Sequence, residues 1–324
     1  MTATAVSPAL VLTAVVRHVE RLSPSFVRIR FGGQGFEDVG PEGPTLDQRI
    51  KLVIPTRGHE APRLDPAGWY AAWLALPEAE RGFVRTYTAR AIVGEGEHRQ
   101  LVVDFVLHGA EAHGGGAPGP AGTWAAEASV GDEICLVAPR RGHEHDFGGI
   151  EFAPADARRL VLVADEAALP ALASIAEDLP AGADGLAVVE VPGHDDLLDV
   201  RFPPGVVAHW VTRGDRPRGA QTVAMLRACL RLEPDRRPAG VLSAPGRAAD
   251  LDDDVWETAT YSSSGDDVAG SLADASHLGP GDTYAWVAGD SDTVKACRRL
   301  LLGEAGLPRH QVAFMGYWKQ GRAQ

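Results

Sequence analysis

Hydrophobic and polar positions alternate with a period of two through much of the first half of the chain. Val27, Ile29 and Phe31 point one way and Arg28 and Arg30 the other, the pattern of a strand buried on one face. Runs of this kind at residues 10–16, 25–31, 49–54, 84–89, 101–108 and 133–138 predict six short strands separated by Gly- and Pro-rich turns. One helical pattern interrupts them at residues 69–76. Short strands at this spacing predict an antiparallel barrel or sandwich. From residue 159 the pattern changes. A continuous apolar run at 159–164 leads into Leu169, Leu172, Ala173, Ala176 and Leu179, spaced as one face of a helix. Strands at 186–191, 206–212, 284–288 and 311–317 then alternate with helices at 221–231 and 292–303, which predicts a parallel sheet covered on both faces. The domains are expected at residues 1–155 and 156–324, with residues 234–278, rich in Asp, Ser, Gly and Pro, as a long excursion.

Composition narrows the function. The 324 residues carry 31 Lys+Arg against 44 Asp+Glu, a formal charge of −13, which makes a poor partner for nucleic acid or anionic lipid. The only lysines are Lys51, Lys295 and Lys319, so any bound anion must be captured by a local cluster of bases. Cys135, Cys229 and Cys297 are far apart, which argues against a disulfide framework, an iron–sulfur cluster or a zinc ribbon. The apolar run at 9–16 is too short to span a membrane, and no later run approaches ~18 residues, so a cytoplasmic protein without membrane insertion is expected. P-loop, nucleophile-elbow and HExxH motifs are lacking. Residues 114–119 formally match GxGxxG, but Pro118 and the missing strand–turn–helix context make them a loop. His143, Glu144, His145 and Asp146 have ligand-type side chains with no helix to fix them, and no metal is assigned there.

The chemistry-bearing segments are Arg85-Thr86-Tyr87-Thr88, Asp104-Phe105-Val106-Leu107-His108-Gly109 and Gly119-Pro120-Ala121-Gly122-Thr123-Trp124-Ala125. On a strand, Arg85 and Tyr87 share a face and Thr88 lies on the other. An arginine there can neutralise a diphosphate and a tyrosine can pack against a ring. Taken alone, the four residues better suit an ordinary surface Arg–Tyr cross-strand pair. The small residues at 119–122 allow backbone N–H groups to approach phosphate ahead of a helix expected to begin at Thr123. Later come Ala164-Asp165-Glu166-Ala167-Ala168-Leu169-Pro170 and the pair Ala288-Gly289-Asp290 and Gly316-Tyr317-Trp318-Lys319-Gln320-Gly321.

In this order, over nearly the whole chain, these segments resemble the siderophore-interacting proteins, FAD-dependent ferric-siderophore reductases related to ferredoxin–NADP reductases. The resemblance implies a six-stranded FAD-binding β-barrel followed by a Rossmann-like parallel α/β NAD(P)-binding domain. It implies FAD contacts from Arg85, Thr86, Tyr87 and Thr88, from Asp104, Val106, Leu107 and His108, and from Gly119, Pro120, Ala121, Gly122, Thr123 and Trp124. Asp165, Glu166, Gly289 and Asp290 follow parallel strands, where such sheets bind ligands. Asp290 is equally well placed to cap the next helix. Lys51, Lys295, Arg298 and Lys319 are the bases implied for an anionic ferric siderophore, although Lys295 and Arg299 also suit an exposed helix face. The family commonly carries Ser at the position of Gly122, Thr at Ala167, Glu at Asp290 and Arg at Lys319.

The implied reaction passes hydride from NADH or NADPH to FAD and single electrons to iron, with no side chain acting as acid or base. Fe(III) is held tightly by hydroxamate or catecholate oxygens and Fe(II) more weakly, so reduction releases the metal. The second parallel strand ends in Glu190-Val191-Pro192-Gly193-His194-Asp195-Asp196, where a carboxylate suits a free ribose 2′-hydroxyl, whereas Arg213, Arg216 and Arg218 suit a 2′-phosphate, and NADH is favoured. A reduced ferredoxin is an alternative donor. The rival functions are a general flavin reductase serving another redox partner and a non-catalytic ferric-siderophore binder. A monomer is expected.

Overall fold

The computed structural model describes residues 7–107, 119–145, 147–232, 255–258, 261, 279 and 281–319. His108, Asp146, the loop at 110–118 and nearly all of the 234–278 excursion lie outside the described residues. The chain divides into two compact units. The first holds residues 1–151 with 170–178 and 194–200; the second holds the remainder.

In the first unit, β1 (Ala9–Arg21), β2 (Phe26–Gly32), β3 (Arg49–Ile54), β4 (Phe83–Thr88), β5 (Ala91–Val93), β6 (Gln100–Val106) and β7 (Glu133–Pro139) form one antiparallel sheet in the order β4-β3-β7-β1-β2-β6-β5. The sheet has seven strands, not the six expected. β5 is three apolar residues long and pairs only with β6, too short for any alternation to announce it. β1 pairs with β7 through Val15 and with β2 from Val15 onward, and Arg17 is an extra residue in the second ladder. Such a bulge bends a strand, here at the point where the sheet curls. The curl brings β4 back towards β6, so that the Tyr87 and Phe105 rings lie 4.5 Å apart. Phe31, Phe36, Ile50, Leu52, Val103, Phe105 and Leu136 fill the concave side. Helix α1 (Trp69–Ala75) stands in the β3–β4 connection, and α2 (Pro120–Glu127) packs its Ala121, Trp124 and Ala125 against that core.

Asp196 belongs to this unit and ties its own turn to the turn that leads into β2. Fully buried, it accepts hydrogen bonds from Ser23 Oγ (2.7 Å), Ser25 N–H (2.8 Å) and Ser25 Oγ (3.0 Å). Asp196→Ala leaves these donors without that acceptor, and the expected loss is about 3 kcal/mol, read as a shift in the urea midpoint.

In the second unit, β8 (Arg159–Ala164), β9 (Asp184–Val191), β10 (Gly205–Thr212), β12 (Thr283–Asp290) and β13 (Val312–Trp318) are parallel, in the order β10-β9-β8-β12-β13. A two-residue strand, β11 (Trp256–Glu257), adds antiparallel to β13. The central strands are buried along almost their whole length, as expected of a sheet covered on both faces. Helices α4 (Ala220–Cys229) and α5 (Ser291–Arg298) follow β10 and β12, α5 continuing into a π-helical turn, whereas α3 (Leu169–Asp178), which follows β8, is counted with the first unit from Pro170 on. The strand order reverses between β8 and β12, and at such switch points open α/β sheets leave a crevice beyond their carboxyl ends.

Candidate functional site

Strand pairing decides which side chains meet. Ile50 pairs with Tyr87 and Leu52 with Arg85 across β3 and β4, so Arg85 and Tyr87 share the concave side with the core, as the alternation predicts. The Arg85 guanidinium donates to the Val84 carbonyl (2.8 Å) and lies 5.7 Å from the centre of the Phe83 ring. Among the described residues no carboxylate pairs with it, and burial lowers its pKa. Burial likewise raises the pKa of the Tyr87 hydroxyl. Thr86 and Thr88 point to the opposite side, where Lys51 Nζ donates to Thr86 Oγ1 (2.5 Å). Burial, and then the charge of Arg49, lower the Lys51 pKa. Lys51 and Arg85 therefore serve opposite faces of one hairpin.

Helix α2 starts earlier than Thr123, the expected position. Gly119 occupies the N-cap and Pro120 the first turn, where its missing N–H costs nothing. Ala121, Gly122 and Thr123 are thus inside the helix, and the Thr123 hydroxyl turns back to the Gly119 carbonyl (3.2 Å). The Trp124 ring lies 6.3 Å from Phe31 and 5.9 Å from Phe105, a packing role. Asp104 sits opposite Arg28 and binds it through two contacts of 2.7 and 2.8 Å, with Arg90 3.9 Å away. Its neighbour Phe105 faces the core, so the Asp104 carboxylate points away from the Arg85–Tyr87 side. Leu107 is buried in the core and Val106 half-buried.

The residues present fit the diphosphate and ring of a flavin. Among the described residues Arg85 is a cation without a carboxylate partner, Tyr87 lies beside it, and the first turn of α2 offers backbone N–H groups within the same unit.

In the second unit, Asp165 and Glu166 follow β8, Gly289 and Asp290 end β12, and Trp318 ends β13. Asp165 accepts hydrogen bonds from the backbone N–H of Asp290 (2.7 Å) and from the Trp318 indole (2.7 Å). Asp290 is also the N-cap of α5, its carboxylate accepting from the N–H and hydroxyl of Thr293 (both 3.1 Å). Glu166 is fully buried between Arg213 (3.0 Å) and Arg218. Glu190 is equally committed: it takes Thr222 Oγ1 (2.6 Å), Gly219 N–H (3.1 Å) and Arg213 (3.3 Å). Of the three carboxylates in the segment expected to favour NADH, Glu190 and Asp196 are buried and hydrogen-bonded and Asp195 is exposed, and Arg213 and Arg218 are neutralised by acids. Among the described residues the Arg216 guanidinium bonds only the neutral Gln221 amide oxygen, at 3.2 Å. This network, and the role of Trp318 in it, was not evident from sequence.

The bases expected for an anionic substrate are placed differently from one another. Lys319 follows β13 half-buried and, among the described residues, pairs with no carboxylate. Arg298 donates to the fully buried Glu257 (2.7 Å), which Arg309 also approaches (3.4 Å), so its charge is matched. Lys295 is half-buried on α5.

A curled antiparallel sheet followed by this parallel α/β sheet is the fold of the ferredoxin–NADP reductase class. Residues 15–143 match the siderophore-interacting FAD-binding domain and residues 157–321 the siderophore-interacting protein model. The chain belongs to the siderophore-interacting protein family. It is 38% identical to the uncharacterised protein Rv2895c of Mycobacterium tuberculosis over 196 residues, covering 60% of this chain and 62% of that one. It is 28% identical to the ferric vibriobactin reductase ViuB of Vibrio cholerae over 240 residues, covering 74% and 65%. The chain thus spans less than two thirds of the length of these relatives. Its fold is that of the siderophore-interacting protein SipS from Aeromonas hydrophila, at a TM-score of 0.62 and 24% identity, covering 97% of this chain and 93% of the other.

Proposed function

We propose that the chain binds FAD and reduces ferric siderophores with electrons from NADH or NADPH. The observation that carries this reading is Arg85, a half-buried cation beside Tyr87 that pairs with no carboxylate among the described residues, on the strand that the family's flavin motif occupies. The match to the FAD-binding domain and the likeness to ViuB support it. When bound, FAD accepts hydride from the nicotinamide and hands electrons on singly.

The chain's own side chains bind and orient. Arg85 holds the flavin diphosphate with the first-turn N–H groups of α2, and Tyr87 packs against the ring system. Asp165 and Asp290 shape the nicotinamide position at the switch point. Lys319, in the second unit, attracts an anionic ferric complex. One nicotinamide supplies electrons for two ferric ions, which leave as the more weakly held Fe(II).

Anaerobic absorption spectra test the donor: a flavin band that bleaches with NADH or with NADPH identifies it, and a protein that FAD cannot reconstitute refutes the reading. Lys319→Ala is expected to lower kcat/KM for an anionic ferric siderophore about tenfold, the loss of about 1.4 kcal/mol of attraction. Flavin reduction by the nicotinamide is expected to stay near the wild-type rate. Equal loss in both half-reactions, resolved by stopped flow, would make Lys319 structural.

A further inference from the structure

The Asp165 carboxylate is surrounded by donors alone. Oδ1 accepts from the backbone N–H groups of Ala167 (2.9 Å) and Ala168 (3.1 Å), and Oδ2 from Asp290 N–H and the Trp318 indole, both at 2.7 Å. Gly289 makes room for it: a Cβ there would stand 2.6 Å from Asp165 Cγ. The partner strand is adapted to it as well. Gly289 pairs with Gly316 and Asp290 with Trp318, leaving Tyr317 as an extra residue in β13, and a bulge of this kind re-aims the side chain that follows. On its ring face the same indole meets Arg218, whose guanidinium lies 4.6 Å from the ring centre and is anchored by Glu166.

We infer that Asp165 is a positioning residue whose ionised carboxylate latches the Trp318 indole, fixing where Lys319 leaves the sheet, and that proton uptake by Asp165 releases the indole. A protonated carboxyl must aim an O–H at one of four N–H groups. Three of those belong to the backbone of a turn or a strand end and stay in place. The fourth belongs to a half-buried side chain on the last residue of a strand, and it alone can swing away.

The surrounding charges set where this happens. Glu166 adjoins Asp165 at the end of β8, Glu190 ends β9 and Asp290 ends β12. Opposing them are Arg213 after β10, shared by Glu166 and Glu190, Arg218 over the indole, and Lys319 beyond it. Burial first and the charge of Glu166 second push Asp165 up to about 7, against the pull of its hydrogen bonds. The proton exchange therefore falls in the neutral range.

Only the consequence for Lys319 rests on the proposed function; the latch can be tested without nicotinamide or siderophore. The experiment follows the indole N–H resonances of the full-length 15N-labelled chain from about pH 5.5 to about pH 9, with Trp318 assigned by Trp318→Phe. The Trp318 resonance is expected to move with a single midpoint near 7, unaccompanied by the other six indoles. In Asp165→Asn the midpoint is expected to vanish, with the resonance at its low-pH position throughout. A Trp318 resonance that stays constant in the wild-type chain overturns the latch, whether or not the variant folds. So does one that titrates alike in Asp165→Asn. Siderophore turnover that fails while the resonance titrates would count against the proposed function and leave the latch standing.

Discussion

Arg85→Ala is expected to purify without flavin and to bind added FAD at least about a hundredfold more weakly than the wild-type chain. A guanidinium bonding a phosphate through two charge-assisted hydrogen bonds contributes about 3 kcal/mol, and 1.4 kcal/mol is a factor of ten. Little else is expected to change. Among the described residues Arg85 makes one side-chain hydrogen bond, to the carbonyl of the preceding residue, and no ion pair that the fold would lose with it. Arg85→Lys keeps the charge without the fork and is expected to fall between the two. Flavin absorbance per chain, before and after dialysis, measures the effect. Stoichiometric flavin in Arg85→Ala would move the diphosphate site elsewhere.

Gly289→Ala is expected to cost about 2–5 kcal/mol of stability, by unfavourable backbone and by overlap together. Gly289 adopts φ +146°, which side chains rarely tolerate, and its new methyl would drive into Asp165 Cγ. The damage is aimed at the switch point, because Asp165 joins the ends of β8, β12 and β13. Gly119→Ala makes the contrasting case. Gly119 has φ −65° and, among the described residues, no heavy atom within 4 Å of an added Cβ, so its cost is expected at or below about 1 kcal/mol. Urea midpoints for the two variants give the comparison, and equal shifts would remove the steric reason for a glycine at 289.

Local pattern made much of the fold legible. The strands at 49–54 and 159–164 lie where alternation and a continuous apolar run put them, because each is buried in the manner its period encodes. The shared face of Arg85 and Tyr87 follows from the same period of two. What stayed hidden depends on register between distant segments. Asp104 reads as a ligand in sequence, but the pairing of β2 with β6 sets Arg28 directly opposite and consumes it. Glu190 ends its strand as expected, yet Thr222 and Arg213 turn it inward. Trp318 reaches Asp165 across 153 positions, and only the extra residue Tyr317 in β13 aims it there. The start of α2 was misplaced because Pro120, Ala121 and Gly122 look like a loop, whereas Pro is favoured in a first helical turn.

The most direct test of the central claim is reoxidation of the reduced protein. The FAD-loaded chain is reduced anaerobically by one equivalent of nicotinamide, mixed with a ferric siderophore, and followed at the flavin band while a ferrous chelator traps released iron. The account predicts that the band returns as about two Fe(II) appear per flavin, at a rate that rises with ferric siderophore concentration. A flavin that stays bleached in the presence of the ferric complex, while an artificial acceptor reoxidises it, would contradict ferric-siderophore reduction and leave a general flavin reductase.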